Sequence, residues 1–151
     1  MNPNLIIIGF DNEFISRLGK YVADRLDMLY ADVLELIEYN LINSNEALLR
    51  CGREYIEKEE RKTVSAISEY ENAVISIPYD IFINNKKVLT KDAFIVCIVS
   101  NNISSVDKIV LTERCEILKP IVDDIIINED GSLETAFKQI INSLKGANKW
   151  S

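Results

Sequence analysis

Residues 4–32 read NLIIIGFDNEFISRLGKYVADRLDMLYAD. An apolar strand from Leu5 to Ile8 runs into Gly9, and a periodic helix is expected to begin near Phe14. This is the layout of a phosphate-binding strand–loop–helix. Such a loop uses G-x-x-x-x-G-K-[ST]: glycines let the backbone wrap the anion, lysine neutralises it, and a hydroxyl holds magnesium. Here Gly9 and Ser16 are present, but Phe14 stands at the second glycine and Ile15 at the lysine. Between them lie Asp11, Asn12 and Glu13. A helix N-terminus attracts negative charge, and these side chains supply it internally.

Beyond Asp32 the chain alternates strand and helix. Leu29–Ala31, Ala73–Ile77, Phe94–Val99 and Ile125–Ile127 join Leu5–Ile8 as short apolar runs, the pattern of strands buried on both faces. Phe14, Leu18, Val22 and Leu26 recur every four residues and predict one apolar stripe on the first helix. Residues 33–43 and 45–51 read as short helices. Residues 53–70 read as a charged one, with Glu54–Lys58 and Glu57–Arg61 spaced for surface ion pairs and Ile56, Val64 and Ile67 turned inward. Asp130-Gly131-Ser132 forms a turn and N-cap. Leu133, Ala136, Phe137, Ile140, Ile141 and Leu144 then line the last helix, which Gly146 closes. The pattern predicts an α/β fold of three layers, a five-stranded parallel sheet flanked by helices. Residues 1–146 read as one domain and 147–151 as a frayed tail. Ligands of such sheets bind at the carboxyl ends of the strands, so residues there carry the functional question.

Composition narrows the chemistry. The 151 residues suit a single core, and the net charge of −7 argues against nucleic acid, which needs clustered Lys and Arg. No apolar run reaches the ~20 residues of a membrane helix. The start Met-Asn-Pro-Asn lacks the basic residues of a signal peptide, so a cytoplasmic location is expected. The absence of histidine excludes Ser-His-Asp and Cys-His catalysis and histidine metal sites. Cys51, Cys97 and Cys115 are widely spaced and imply neither a disulfide framework nor a CxxC site. Cys97, inside FIVCIV, reads as core.

The chain resembles the shikimate kinase family, small P-loop kinases of aromatic amino-acid biosynthesis. The resemblance runs without gaps from Leu5 to Glu38, through IIIGF, Gly19, Ala23, Leu26, Met28, Asp32 and LELIE. It resumes at Gly52-Arg53-Glu54-Tyr55, at Ala73-Val74-Ile75-Ser76, and from Arg114 through Val122-Asp123 into the last strand and helix. It implies a P-loop kinase-like fold, with ATP, magnesium and shikimate as the family's ligands. The family's site residues carry over poorly. Gly9 and Ser16 remain of the phosphate loop. Asp32 matches the first aspartate of D-x-D, and Leu34 replaces the second. The substrate-binding F-R reads Ile56-Glu57, a charge reversal at an anion site. A glycine triplet reads Pro78-Tyr79-Asp80, expected to form a rigid acidic turn. The arginine-bearing lid has no counterpart between Ser100 and Arg114. Arg114 matches another substrate-contacting arginine, nine residues before Asp123.

The resemblance therefore implies the fold with no catalytic residues, no metal ligands and no required cofactor. Gly9, Ser16 and Asp32 would be vestiges of a nucleotide site and Arg114 of a substrate or anion site. Each also has a plainer reading: Gly9 serves a tight turn, Ser16 faces solvent or bonds backbone, Asp32 N-caps the next helix, and Arg114 pairs with Glu116 or Asp123. Phosphoryl transfer rests on positioned charge, and losing one such contact costs roughly 10²–10³-fold in rate. The resemblance implies that the lysine, the lid arginine and the substrate arginine are lost together here. The expected role is a scaffold or regulator that works through a protein partner or a homodimer at the former active-site face. The alternative is a phosphotransferase with residual ATP or shikimate binding. A signalling receiver domain is disfavoured, because Ile77-Pro78 and Ile127-Asn128 stand where it needs a terminal aspartate and lysine. The lost site positions became apolar (Phe14, Ile15, Leu34, Ile77, Tyr79), so the mouth is expected to be filled or covered.

Overall fold

The computed structural model of the chain describes residues 3–42, 45–100 and 105–147. Strands β1 (Asn4–Gly9), β2 (Leu29–Asp32), β3 (Ala73–Pro78), β4 (Ala93–Ser100) and β5 (Asp124–Asn128) form one parallel sheet in the order β2-β3-β1-β4-β5. Helices α1 (Asn12–Leu26), α2 (Val33–Ile42), α3 (Asn45–Ser68), α4 (Tyr79–Asn84), α5 (Lys86–Leu89), α6 (Ser105–Leu118) and α7 (Leu133–Lys145) connect the strands. All five expected strands are present, which makes this the α/β three-layer fold read from the pattern.

Period-two alternation divides the core. Leu5, Ile7, Phe94, Val96 and Ile98 face α1 and α7, where they meet Leu18, Val22, Ala136, Ile140 and Leu144. Ile6, Ile8, Ile75, Ile77, Ile95 and Cys97 face the opposite layer and meet Ile37, Val64, Ile67 and Phe82. Both faces are covered, so the central strands can be apolar throughout. The edge strands are not: Leu29 and Ile127 are exposed. Gln139 shields the β5 edge by donating to the Ile127 carbonyl at 2.9 Å. No helix among the described residues is long and apolar enough to cross a membrane.

Several local readings need correction. The α1 stripe centres on Ile15, Leu18, Val22 and Ala23, with Phe14 and Leu26 only partly buried. The charged helix breaks at Gly52, whose φ of 59° and ψ of −139° separate two helical arms, as the division between 45–51 and 53–70 anticipated. In its second arm Glu57 pairs with Arg53 behind it at 3.2 Å. Neither expected pair, Glu54–Lys58 or Glu57–Arg61, is among the ion pairs of the described residues. Pro78-Tyr79-Asp80 is no turn: α4 starts directly at Tyr79, with Pro78 as its extended N-cap. Helix α6 had no periodic signature in the sequence. The α7 reading held, with Ser132 accepting from the Thr135 amide at 3.2 Å and Gly146 at the C-cap. The side chain of Cys51 and residues 148–151 lie outside what is described.

Candidate functional site

The sheet's topology locates the crevice. The chain leaves β1 for β2 and β3 on one side and crosses to β4 on the other, so the space beyond the carboxyl end of β1 is the switch point where ligands of such sheets bind. Phe10 and Asp11 form the whole connection from β1 to α1. The helix begins at Asn12, two residues before the expected start, because Asp11 caps it. The Asp11 carboxylate accepts from the Phe14 amide at 3.1 Å, and its carbonyl accepts from the Ile15 amide at 3.0 Å. Two amides of the first turn are thereby satisfied from within, with Glu13 adding negative charge there.

Ile15 occupies the interior of this turn. It is 2% exposed, and a Cβ built on Gly9 would lie 2.2 Å from its Cγ2. Gly9 does not have positive φ; it is glycine because Ile15 fills the space beside it, which corrects the tight-turn explanation. A hollow of ≈120 Å³ remains, lined by Phe10, Phe14, Ile15, Ile98 and Leu111 with Asp11 and Ser100. It is smaller than the ≈300–1,000 Å³ of ordinary ligand pockets.

Ser16 and Asp32 are drawn together by Tyr30, a residue the motif reading passed over. The Tyr30 hydroxyl donates to the Ser16 carbonyl at 2.8 Å and lies 3.2 Å from Asp32 Oδ2. Asp32 Oδ1 accepts from the Glu35 amide at 3.1 Å, the expected N-cap of α2. The Ser76 hydroxyl, also buried, donates to the Ile15 carbonyl at 2.7 Å. A Cβ on Gly19 would come within 2.0 Å of Ser76 Oγ and 2.6 Å of the Tyr30 ring. The glycine is thus what lets α1 lie this close to β2 and β3. Burial, first of all, pushes the Tyr30 phenol up to about 12, and the nearby Asp32 charge acts in the same direction. The signal that could have found this cluster is the polar pair Tyr30 and Ser76 inside apolar strands.

Arg114 stands apart from those three residues. Its guanidinium carbon lies 5.0 Å from the centre of the Tyr79 ring and 5.9 Å from that of Phe10. The two rings are 5.4 Å apart. Both distances fall within cation–π range. The expected acidic partners are engaged elsewhere: Glu116 with Lys119 at 2.7 Å, and Asp123 with the Ile95 amide at 2.8 Å. Burial raises the Tyr79 phenol, opposed by the positive charge of Arg114. Ile77 and Tyr79 are buried and Leu34 packs against the core, so apolar side chains close the crevice at these positions. The expectation of a filled mouth holds at these positions only, and an open cleft at the positions that resemble the substrate site contradicts it there.

On the side of the mouth that resembles the substrate site an open cleft of ≈750 Å³ lies between the second arm of α3 and α4, lined by Ile56, Glu57 and Asp80 together with Arg53, Glu60 and Ile81 among others. The Glu60 carboxyl is raised, by burial first and by the charge of Glu57 next. Among the described residues no three acidic or sulfur groups are placed to hold a metal ion. The Cys97 thiol is pushed up to about 12 by burial, and burial also raises that of Cys115. Cys97 is buried in the core and Cys115 is partly buried against it.

No protein-family model matches the chain. Its sequence is similar to a shikimate kinase of Sulfurihydrogenibium sp. (strain YO3AOP1), 28% identical over 96 residues that span 62% of this chain and 58% of the relative. Among solved structures, the shikimate kinase of Acinetobacter baumannii, determined in complex with shikimate, superposes with a TM-score of 0.72 at 12% identity. That match covers 97% of this chain and 94% of that one. The Aquifex aeolicus enzyme gives a TM-score of 0.67 at 20% identity, over 95% of this chain and 96% of the other. With its five-stranded parallel sheet and flanking helices, the chain has the P-loop kinase fold of the shikimate kinases.

Proposed function

We propose that this protein is a non-catalytic member of the shikimate kinase-like fold and acts through protein contacts as a scaffold or regulator. The observation that carries the reading is Ile15. It stands where a phosphate loop has lysine, and its buried side chain meets the place a Cβ on Gly9 would take. A nucleotide triphosphate does not fit these residues. The first-turn amides of Phe14 and Ile15 are taken by Asp11, no lysine is present at the turn, and the remaining hollow is ≈120 Å³. Asp32 serves as the α2 cap and meets the Tyr30 hydroxyl, a structural role that accounts for it without magnesium. Arg114 lies on two aromatic rings.

Fold does not carry function by itself, and the family's catalysis rests on the charges that are missing here. What the surface offers instead is the open α3–α4 cleft together with Ile109, Val110 and Ile117 exposed on α6. The test is calorimetry with ATP–magnesium and a coupled assay with shikimate. The expected results are ATP binding no tighter than about millimolar, a free energy of about −4 kcal/mol, and ADP release at background. Micromolar ATP affinity, or shikimate-dependent ADP release, overturns the reading in favour of a residual phosphotransferase.

A further inference from the structure

We propose that the cleft between the second arm of α3 and α4 docks a basic segment of a partner protein, with an arginine or lysine side chain entering between Glu57, Glu60 and Asp80. This rests on the reading that the protein works through protein contacts and names the chemistry of the partner. The cleft, at ≈750 Å³, lies within the range of functional pockets. Its walls have two characters. Ile56, Ile81 and Ile83 form an apolar surface suited to an aliphatic stem, and three carboxylates stand around it. Long cationic side chains bury their stems on apolar surface and keep the charged head on polar groups.

Charge complementarity selects a cation. The one basic residue among the lining groups, Arg53, is already paired with Glu57 at 3.2 Å, and its side chain is 91% exposed. Glu60 and Asp80 have no ion pair among the described residues. An entering guanidinium would meet the carboxylates of both helices, and the Arg53–Glu57 contact shows that a guanidinium can sit on this wall. The three carboxylates form no group that could hold a metal ion among the described residues, which favours an extended cation over an ion. Asp80 is exposed and Glu57 half-exposed. The cleft therefore suits a side chain projecting from a partner, whereas small ligands are enclosed over ≈70–90% of their surface. The chain's net charge of −7 steers basic partners toward it.

The experiment is an amide-resolved NMR titration of the full chain with the peptide acetyl-Ile-Arg-Ile-amide and its citrulline counterpart, which keeps the shape and removes the charge. Saturable shifts confined to residues 52–60 and 80–84 are expected. They should be roughly tenfold weaker for citrulline, as loss of a charge-assisted hydrogen bond implies, and several-fold weaker between about 0.05 and 0.5 M salt. The triple variant Glu57→Gln, Glu60→Gln, Asp80→Asn, shown folded by circular dichroism, should lose the response. Scattered or absent shifts, equal binding of the citrulline peptide, or a triple variant that binds as well overturns the proposal. Agmatine binding as tightly as the peptide also overturns it, by making the cleft a small-amine site. A separate titration with ATP–magnesium reports on the parent reading alone: saturable shifts at residues 9–16 would overturn that reading, while the peptide result decides the cleft.

Discussion

Replacing Ile15 by lysine would restore the residue type a phosphate loop uses, yet it should yield an unstable protein and no kinase. The side chain is 2% exposed against Gly9, so the substitution removes apolar packing and buries an unpaired charge. Ile15→Ala is expected to cost about 2–5 kcal/mol and Ile15→Lys at least as much, measured by urea denaturation, with ATP binding still absent by calorimetry. Arg114 offers a different test. Asp11 and Glu13 disfavour anions at the start of α1, whereas Arg114 is charged at any working pH. Crystals soaked in sulfate should show density beside Arg114 and none along the backbone of residues 9–16. Tyr30 governs alkaline behaviour. Its phenol is raised from 10.0 to about 12, so the folded state holds that proton more tightly than the unfolded chain. Its contribution is complete below pH 10.0 and disappears as pH rises toward about 12. Cys97, raised from 9.0 to about 12, acts with the same sign. Melting temperature should fall through this window, and less steeply in Tyr30→Phe.

Helix ends and breaks follow local chemistry that the sequence displays. Asp130 accepts from the Ser132 amide and the Thr135 hydroxyl at 2.9 Å each, and those bonds hold its carboxyl below the usual range. A lowered carboxyl contributes stability above its unfolded pKa and loses it as pH falls through the folded one. Asp130→Asn should therefore flatten the acid limb of a stability–pH curve. Gly52 adopts a conformation open to glycine alone, with nothing within 4 Å of a built Cβ. Gly52→Ala should cost about 1–3 kcal/mol from backbone strain, read from the shift in denaturation midpoint. The two-arm division of α3 was legible because Gly52 interrupts the pattern. The starts of α1 and α4 were misread for one reason: Asp11 and Pro78 act as caps that begin a helix at once, where motif matching expected a loop and a turn.

Stability across the molecule should follow burial. Strands β1, β3 and β4 lie between two covered faces, while Leu118 is the one fully buried side chain among residues 108–118 of α6. Hydrogen exchange should be slowest in those strands and faster in α6 than in α1 or α7; uniform protection would contradict this. Alternating apolar runs and helical periods made the sheet, its parallel sense and the α1 and α7 faces readable from the chain, since burial on two faces leaves a direct record in residue type. That Phe14 and Ile15 stand where a phosphate loop has glycine and lysine was equally readable. Side-chain destinations were not. That Ile15 turns inward against Gly9, that Tyr30 joins Ser16 to Asp32, and that Arg114 lies on Phe10 and Tyr79 and pairs with neither Glu116 nor Asp123 all depend on residues far apart in the chain meeting at one end of the sheet. Local pattern specifies which face of an element is apolar. Only packing of the assembled layers determines which groups meet, and so whether a vacated pocket closes or stays open.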